Sequence, residues 1–350
     1  MKQIRALVID DSAFMRKMLS DILESDHRIK VVGTARNGED GLRKIKALSP
    51  DVVTLDIEMP VMDGLTTLQK IMESKPTPVV MISSLTQKGA VQTFQAISMG
   101  AIDFITKPSG SISLDIDKVK DEIISKVVVA SEVRLDNHSS QRQHRPVLRK
   151  TLPYHRSIVS IGTSTGGPKA LQQVLKDLPK DFPAPILIVQ HMPPKFTKSL
   201  ADRLNDISEI TVKEASHGDI LKNGMAYVAP GDYHMRVKQM ATSLAIELSQ
   251  DAPVHGHRPA VDVLFESLAD IKNTNKIAVV LTGMGRDGSK GIRAIKQKDE
   301  TAYVIAESKE SCIVYGMPGA AVATGLVDQI VHLEEVSQNL TTLLKRDERV

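Results

Sequence analysis

The sequence predicts an α/β protein that contains two doubly wound parallel-sheet domains. Short apolar runs alternate with helical periodicity in both halves of the chain, a pattern typical of parallel sheets covered by helices. The length of 350 residues fits two domains of about 150 residues each. Residues 131–153 separate the halves, because their clustered Ser, Asn, Gln and Arg show no clean period. We therefore expect a first domain at 1–130, a linker at 131–153 and a second domain at 154–347.

Composition and charge exclude several classes of protein. The chain has one cysteine, Cys312, which excludes an internal disulfide framework and favours a cytoplasmic setting. No apolar run approaches the ~20 residues of a membrane helix, so we expect no membrane insertion. The linker holds five Lys/Arg and two Asp/Glu, which accounts for the whole net charge of +3. Because that excess lies in a tether and the chain has no tryptophan, we expect no nucleic-acid partner.

The first domain contains five predicted pairs of a strand and a helix. The apolar runs that predict strands are Ile4–Ile9, Lys30–Ala35, Val52–Leu55, Val79–Ile82 and Ile102–Ile105. The helical patterns that follow them are Ala13–Leu23, Gly38–Ala47, Gly64–Met72, Gly89–Met99 and Leu114–Ala130. Such an alternation implies a parallel sheet, and ligands of these sheets bind beyond the carboxyl ends of the strands.

Polar side chains stand at four of those strand ends. Asp10 and Asp11 follow the first strand, Asp56 ends the third, Ser83 follows the fourth and Lys107 follows the fifth. Three neighbouring carboxylates form a site for a hard cation such as Mg²⁺. A single acidic residue at a strand end is commonly a helix cap, but capping does not account for all five positions together. The pattern therefore predicts a cation site with a lysine and a hydroxyl beside it.

This constellation resembles the receiver domain of bacterial response regulators over residues 4–130. The stretches that carry the resemblance are VIDDS, TLDIEMPVMDG, MISS and AIDFITKP. The resemblance implies that Asp56 accepts a phosphoryl group from a histidine kinase. It also implies that Asp10, Asp11 and Asp56 hold Mg²⁺ together with the backbone carbonyl of Glu58.

The same resemblance implies a set of residues that respond to phosphorylation. Ser83 and Lys107 would contact the phosphoryl oxygens, since one supplies a hydroxyl and the other a positive charge. Phe104 would be the switching aromatic residue, although packing in the core is an equally good account of an aromatic side chain in this strand. An aspartyl phosphate adds about −1.5 to −2 charge units, which is a large local change for these neighbours to sense.

The second domain begins with a glycine-rich turn between a strand and a helix. Ser157–Ile161 predicts a strand and Pro168–Leu178 predicts a helix, and Gly162–Gly167 between them fits G-x-S-x-G with Ser164 at its centre. Glycines on both sides permit the sharp turn that exposes a nucleophilic serine. A phosphate-binding loop is the first alternative, but Pro168 stands where that motif needs lysine. A dinucleotide-binding loop is the second alternative, but that motif needs glycine where Ser164 stands. A purely structural serine is the third.

A base and a carboxylate follow two further predicted strands. His191 follows Pro185–Gln190, and Asp287 lies in a glycine-rich turn after Lys276–Leu281. A serine needs a base to take its proton, and an aspartate can fix the tautomer of an imidazole. We therefore expect Ser164, His191 and Asp287 to form a catalytic triad. The chain order Ser, His, Asp differs from the three established orders, which indicates a different fold with convergent geometry.

Other polar residues of this half compete for these roles. Asp232 and Asp262 are alternative carboxylates. His255 and His257 are spaced like metal ligands, but with no cysteine nearby we favour a surface loop or contact with substrate. His234 is interpreted as a polar turn residue.

Residues 157–344 resemble the catalytic domain of the chemotaxis protein-glutamate methylesterase/protein-glutamine glutaminase family, the CheB family. The matching stretches are IGTSTGGPKAL, QHMPPKFTKSLADRLN, AYVAPGDYHM, GHRPAVDVLF, LTGMGRDG and SCIVYGMPGAA. The fold implied is a flavodoxin-like receiver followed by a larger Rossmann-like α/β methylesterase domain. With the receiver included, the resemblance spans nearly the whole chain.

The resemblance implies a hydrolase of the chemotaxis two-component system that is controlled by phosphorylation. Its substrates would be glutamate methyl esters, and specific glutamines, on the cytoplasmic domains of chemoreceptors. Backbone N–H groups near Thr165 or Met284 are the candidates for an oxyanion hole, and the esterase chemistry would need no cofactor. We expect a cytoplasmic monomer. A DNA-binding response regulator is the alternative, but the second half is net neutral and shows no basic recognition helix. A noncatalytic scaffold is a further alternative, against which the intact Ser164, His191 and Asp287 argue.

Overall fold

The structure is a computed structural model that describes residues 3–107, 116–133, 156–241 and 243–344. The chain divides into two compact units, 1–141 and 142–350. Most of the predicted linker lies outside the described residues, so the domain boundaries stay predictions. Among the described helices, none is both long enough and apolar enough to cross a membrane.

The N-terminal unit is built on a five-stranded parallel sheet. Its strands are β1 (Ile4–Ile9), β2 (Ile29–Ala35), β3 (Val52–Asp56), β4 (Val79–Ser83) and β5 (Asp103–Thr106). Its helices are α1 (Ala13–Glu24), α2 (Gly38–Leu48), α3 (Gly64–Ser74), α4 (Gln87–Ser98) and α5 (Ile116–Glu132). The strand order is β2-β1-β3-β4-β5, so β1 and β3 are neighbours and the carboxylates at their ends meet at one edge.

Local sequence explains where the helices of this unit begin. Each of the first four follows a polar residue in extended conformation that accepts a backbone N–H of the first turn; these residues are Ser12, Asn37, Asp63 and Thr86. Strands β3 and β4 are buried along their whole length, which is why they read as continuous apolar runs. The predicted strands and helices all exist, with ends within three residues of the expectation.

The C-terminal unit contains a larger sheet and a hairpin. The strands are β6 (Arg156–Thr163), β7 (Ile186–Gln190), β8 (Thr211–Glu214), β9 (Met225–Val228), β10 (His234–Gln239), β11 (Leu244–Ser249), β12 (Thr274–Val280), β13 (Tyr303–Glu307) and β14 (Gln329–Val331). The helices are α6 (Gly167–Lys176), α7 (Phe196–Ile207), α8 (Val261–Ala269), α9 (Ser289–Lys298), α10 (Met317–Val322) and α11 (Val336–Leu344), with a 3₁₀ turn at Leu333–Glu335. The parallel sheet has the order β14-β13-β12-β6-β7-β9-β8.

This sheet places three predicted strand ends side by side. Strand β6 pairs with β12 on one side and with β7 on the other, and all three run parallel. The carboxyl ends of the three strands therefore lie at the same edge of the sheet. Ser164 follows β6, His191 follows β7, and the turn that carries Asp287 follows β12. Both units are parallel-sheet α/β domains, which confirms the predicted fold class.

One part of this unit differs from the expectation. Strands β10 and β11 pair antiparallel as a two-stranded sheet, where the sequence predicted no strands. His234 opens β10 and is fully buried, so its interpretation as a turn residue is wrong. Its ring Nε2 lies 3.1 Å from the Ala252 carbonyl, and burial lowers the pKa of this histidine. Met235 and Val237, on the opposite face of β10 from His234, join the hydrophobic core beside α8.

Candidate active site and phosphorylation site

The turn that carries Ser164 is shaped by the residues around it. Strand β6 ends at Thr163, and Gly166 takes a left-handed conformation with φ of +76° that favours glycine. Helix α6 begins at Gly167, with Pro168 in its first turn. The backbone N–H of Ser164 donates to the Thr282 carbonyl at 3.0 Å, which ties this turn to the one that follows β12. The serine therefore sits between a strand end and a helix amino terminus.

His191 and Asp287 form a buried pair at the same edge. Nε2 of His191 lies 2.8 Å from Oδ2 of Asp287, and the two side chains are 5% and 3% exposed. Three backbone N–H groups also donate to this carboxylate: Val261 to Oδ2 at 2.7 Å, and Asp262 and Gly288 to Oδ1 at 2.8 and 2.9 Å. Burial alone would raise the pKa of Asp287, but the hydrogen bonds from His191 and the backbone lower it to about 2. The aspartate is therefore ionised at any physiological pH.

The second ring nitrogen of His191 is not engaged by Asp287. Nδ1 is buried and has no hydrogen-bond partner among the described residues. Gln190 Nε2 donates to the Ser164 carbonyl at 2.9 Å and to the His191 carbonyl at 3.2 Å, so one side chain holds both backbones together. The contacts of the described residues include no hydrogen bond between Ser164 and His191. Such bonds are often long in a free enzyme and tighten when substrate binds.

Three supporting residues escaped the sequence analysis. Thr282 Oγ1 donates to the Thr165 carbonyl at 2.9 Å, and its backbone N–H donates to Glu307 Oε2 at 2.7 Å. Glu307 is fully buried, and burial raises its pKa although the Thr282 N–H opposes the rise. Gln190 is the third. A carboxylate at the end of the otherwise apolar strand β13 is the signal that could have identified Glu307.

The oxyanion-hole candidates lie next to this network. Thr165 is buried in the turn after Ser164, and Met284 is half-buried in the turn after β12. Neither backbone N–H makes a hydrogen bond to any other residue in the described ranges. A Cβ placed on Gly283 would lie 2.8 Å from Ser164 Cβ, so the Met284 turn directly adjoins the serine. Two amides are thus available beside the predicted nucleophile.

The alternative residues have other partners. Asp232 accepts a hydrogen bond from Arg258 Nε at 3.0 Å. Asp262 Oδ2 lies 3.1 Å from His255 Nε2, so its carboxylate pairs with a histidine other than the predicted base. His257 lies against the pair itself, because its ring stacks on that of His191 with centroids 3.8 Å apart. Asp287 is therefore the carboxylate that contacts the predicted base.

In the N-terminal unit the predicted acidic residues and the lysine come together. Lys107 Nζ lies 2.7 Å from Asp56 Oδ2 and 3.7 Å from Asp10 Oδ2. Burial raises the pKa of Asp56 to about 6; Lys107 opposes the rise and the charge of Asp10 adds to it. Burial likewise raises the pKa of Asp10. The site is short of positive charge for two buried carboxylates.

The arrangement of these carboxylates fits a divalent cation. Carboxylate oxygens of Asp10, Asp11 and Asp56 all lie within 4.8 Å of one another. Asp10 Oδ2 is buried and accepts no hydrogen bond from the described residues, as expected of an oxygen reserved for a metal. The Glu58 N–H is 3.4 Å from Asp56 Oδ1, which brings the Glu58 backbone to the site. Hard oxygen donors of this number suit Mg²⁺.

The other receiver residues lie close by. Ser83 is buried at the end of β4, where its Oγ accepts from Thr93 Oγ1 at 2.9 Å. Asp56, Ser83 and Lys107 line one small cleft. Phe104 is buried, with its ring edge-on to Phe94 at 6.5 Å between centroids. In this structure Phe104 therefore packs in the core.

Comparison with known proteins places both units. The model of the CheB methylesterase family matches residues 159–340, and that of the response regulator receiver domain matches residues 6–116. A protein-glutamate methylesterase/protein-glutamine glutaminase of Oceanobacillus iheyensis is 58% identical over 343 residues, which are 96% of this chain and 97% of that protein. One of Bacillus subtilis is 48% identical and covers 98% and 99%. The crystal structure of the Thermotoga maritima CheB methylesterase catalytic domain is 45% identical, with a TM-score of 0.52, over 54% of this chain and 99% of that domain. The chain therefore belongs to the CheB methylesterase family and joins its catalytic domain to a response regulator receiver domain.

Proposed function

We propose that the C-terminal unit hydrolyses glutamate methyl esters, and deamidates specific glutamines, on the cytoplasmic domains of chemoreceptors. Ser164 is the nucleophile, His191 the base and Asp287 the residue that orients the base. The observation that carries this proposal is the buried His191–Asp287 pair at the strand end next to Ser164. The names of the relatives supply the glutamate ester and glutamine chemistry, and the chemoreceptors follow from the family resemblance.

Hydrolysis proceeds through an acyl-enzyme. The Ser164 Oγ attacks the ester carbonyl while its proton passes to Nδ1 of His191, and the imidazolium is stabilised by the ionised Asp287. The imidazolium then returns the proton to the departing methoxide, so methanol leaves. A water molecule attacks the acyl-enzyme in the same way and yields a glutamate carboxylate and free Ser164. For a glutamine the leaving group is ammonia, and no other group has to change.

The tetrahedral oxyanion needs hydrogen-bond donors that are already in place. We assign this role to the backbone N–H groups of Thr165 and Met284, which lie on the two turns beside Ser164. Removing one such donor costs roughly 10²–10³ in rate in other hydrolases. This chemistry is acyl transfer by serine and histidine, so it requires no cofactor.

The N-terminal unit controls the hydrolase through phosphorylation of Asp56 by a histidine kinase. A bound Mg²⁺ would be held by Asp10, Asp11, Asp56 and the Glu58 carbonyl, and it would neutralise phosphoryl charge. Lys107 forms an ion pair with the phosphoryl group once the Asp56 carboxylate has reacted. Ser83 in the same cleft donates its hydroxyl to a phosphoryl oxygen. Phe104 adjusts its packing in response.

The remaining parts of the proposal concern organisation. The receiver occupies residues 1–130, a linker 131–153 and the catalytic domain 154–347. The partners are chemoreceptors as substrate and a histidine kinase as phosphodonor, without nucleic acid. The protein acts in the cytoplasm as a monomer.

The test is release of methanol from membranes that contain methylated chemoreceptors. We expect the full chain to release methanol, and a small phosphodonor with Mg²⁺ to raise the rate. The Ser164→Ala variant is expected to release none above background. Asp56→Asn should keep the basal rate and lose the response to the phosphodonor. Unchanged release by Ser164→Ala refutes the nucleophile, and an unchanged response by Asp56→Asn refutes the phosphorylation site.

A further inference from the structure

The predicted base His191 is covered by a second histidine. The rings of His191 and His257 are stacked, with centroids 3.8 Å apart and planes only 9° from parallel. His257 is exposed, whereas the His191 side chain is 5% exposed, so His257 forms the outer layer over the base. Neither the family comparisons nor the proposed mechanism gives His257 a role.

The segment that presents His257 is held firmly. Val254 and His257 exchange both backbone hydrogen bonds, at 3.0 and 2.9 Å, which closes a tight turn. The next residue, Arg258, donates from Nε to Asp232 at 3.0 Å and from Nη1 to the Gln250 carbonyl at 2.9 Å. A ring carried on such a turn has little freedom to leave its neighbour.

The same segment also holds the carboxylate of the pair. Four residues after His257, the N–H of Val261 donates to Asp287 Oδ2, and the N–H of Asp262 donates to Oδ1. Residues 257–262 therefore touch the base through a ring and the aspartate through the backbone. The arrangement fixes the two partners relative to one another from one short piece of chain.

We propose that His257 is a positioning residue for the proposed hydrolysis, and that its flat ring fixes the plane of the His191 imidazole. The hydrogen bond to Asp287 holds the Nε2 corner of His191 and the Cβ–Cγ bond holds the Cγ corner, so the ring can still tilt about the line between these two atoms. A tilt moves Nδ1, the nitrogen that must take the serine proton. A parallel ring against one face opposes the tilt and also keeps water from that face. This inference rests on the proposed function, because it assumes that His191 is the base.

Two other roles for this cluster fit the contacts less well. Oxygen and nitrogen atoms of His255, Asp262 and Asp287 lie within 4.8 Å of one another, as in a metal site. Both Asp287 oxygens already accept two hydrogen bonds each, however, so that carboxylate has little capacity for a cation. Alternatively His257 could contact substrate, since it is exposed. That role predicts a change in KM, whereas positioning predicts a change in kcat.

The experiment compares kcat and KM of the full chain for methanol release with those of His257 variants. Aromatic pairs contribute about 0.5–1.5 kcal/mol beyond buried area, which corresponds to about 2- to 13-fold. We expect His257→Ala to lower kcat by about that factor with KM unchanged. His257→Phe retains a flat ring without its nitrogens and should restore kcat to within about twofold. His257→Leu retains bulk without a flat ring and replaces the alanine variant if that one does not fold.

His255→Ala is the matched control, since this ring lies in the same turn but pairs with Asp262. It should leave kcat within about twofold of the parent. An unchanged kcat in His257→Ala, or a rise in KM alone, overturns the positioning role. Equal losses in His257→Phe and His257→Ala overturn it as well, because they show that an imidazole nitrogen is required. Failure of the proposed function looks different: the parent releases no methanol, or Ser164→Ala matches the parent.

Discussion

Asp287 and Asp262 are two buried carboxylates that both accept hydrogen bonds from backbone N–H groups, yet the structure predicts opposite effects when each is replaced by asparagine. In Asp287 each oxygen accepts two hydrogen bonds: Oδ2 from His191 and Val261, Oδ1 from Asp262 and Gly288. An asparagine side chain must place its NH₂ group at one of these positions. In either orientation that NH₂ faces N–H groups that need an acceptor, so hydrogen bonds are lost.

The size of the effect follows from those hydrogen bonds. Loss of two bonds to a charged acceptor, at about 1.5–3 kcal/mol each, costs about 3–6 kcal/mol as an upper range. If the NH₂ group faces His191, Nε2 must act as acceptor and the ring proton moves to Nδ1. The base is then in the wrong tautomer, an error that lowers kcat about 10⁴-fold in the serine-protease case. We therefore expect Asp287→Asn to lose both stability and activity.

Asp262→Asn is the matched control. Asp262 accepts one bond at each oxygen, from the Gly291 N–H at 2.8 Å and from His255 at 3.1 Å. An asparagine oxygen can accept the first, and its NH₂ can donate to a neutral His255. Burial raises the pKa of Asp262, so the protonated carboxyl is the form that the fold favours. Stability is therefore lost as pH rises through the folded pKa and the group ionises. The neutral amide should thus be tolerated or slightly stabilising near pH 7.

The assay is thermal unfolding of the C-terminal unit together with methanol release, at several pH values. The pKa of Asp287 is lowered to about 2, so its contribution to stability is present above pH 4 and disappears as pH falls toward 2. The destabilisation in Asp287→Asn should therefore be largest above pH 4. The reasoning is refuted if the Asp287→Asn and Asp262→Asn variants have equal stability and equal activity. That result would mean that the four hydrogen-bond donors around Asp287 do not require an ionised acceptor.

Three further predictions concern other sites. Burial raises the pKa of Asp56 from 3.8 to about 6, so ionisation of this carboxyl destabilises the fold by up to about 3 kcal/mol, a penalty that is absent below pH 4. The Asp56→Asn variant should therefore raise the free energy of unfolding of the N-terminal unit by up to this amount at pH 7.5 in EDTA. It should not raise it at pH 4. A Cβ on Gly283 would lie 2.4 Å from Met317 Sδ and 3.0 Å from the Ser164 N–H nitrogen, so Gly283→Ala should displace the serine and lower kcat about 10- to 100-fold. Burial raises the pKa of the Cys312 thiol, and the charge of Glu307 adds to the rise, so little of the reactive thiolate is present at pH 8. Iodoacetamide at pH 8 should therefore react with Cys312 at least about 100-fold more slowly in the native chain than in the unfolded chain.

The sequence predicted the parts of this molecule that depend on local chemistry. Buried parallel strands are continuous apolar runs, and a nucleophile after a strand end is flanked by glycines, so the fold class and the position of Ser164 could both be read from pattern. The hairpin of β10 and β11 was missed because its inner residues alternate with charged, polar or small ones over only six positions. Short alternation of this kind also occurs in loops, so pattern alone does not separate them.

Long-range contacts set the other limit. The stack of His257 on His191 joins residues 66 positions apart, and the Glu307 carboxylate reaches a backbone N–H of Thr282 on a neighbouring strand end. No periodicity encodes such pairs, because they follow from how strands are ordered in the sheet. Most of these residues lie in distinctive polar stretches of the sequence, but the sequence did not predict which residue each of them contacts.

The two proposed sites would use buried carboxylates in opposite ways, and the hydrogen bonds around each one account for the difference. Asp287 has all its acceptor positions filled by four donors and stays ionised, which makes it a fixed charge and a poor nucleophile. Asp56 accepts one strong bond, from Lys107 to Oδ2, while the nearest donor to Oδ1 among the described residues is 3.4 Å away. Its Oδ1 is thus open to the attack on phosphorus that the proposed function assigns to Asp56, and a pKa of about 6 leaves the carboxyl ionised at neutral pH without strong stabilisation of the charge. The number of hydrogen-bond donors therefore distinguishes the aspartate that is proposed to orient a base from the aspartate that is proposed to react itself.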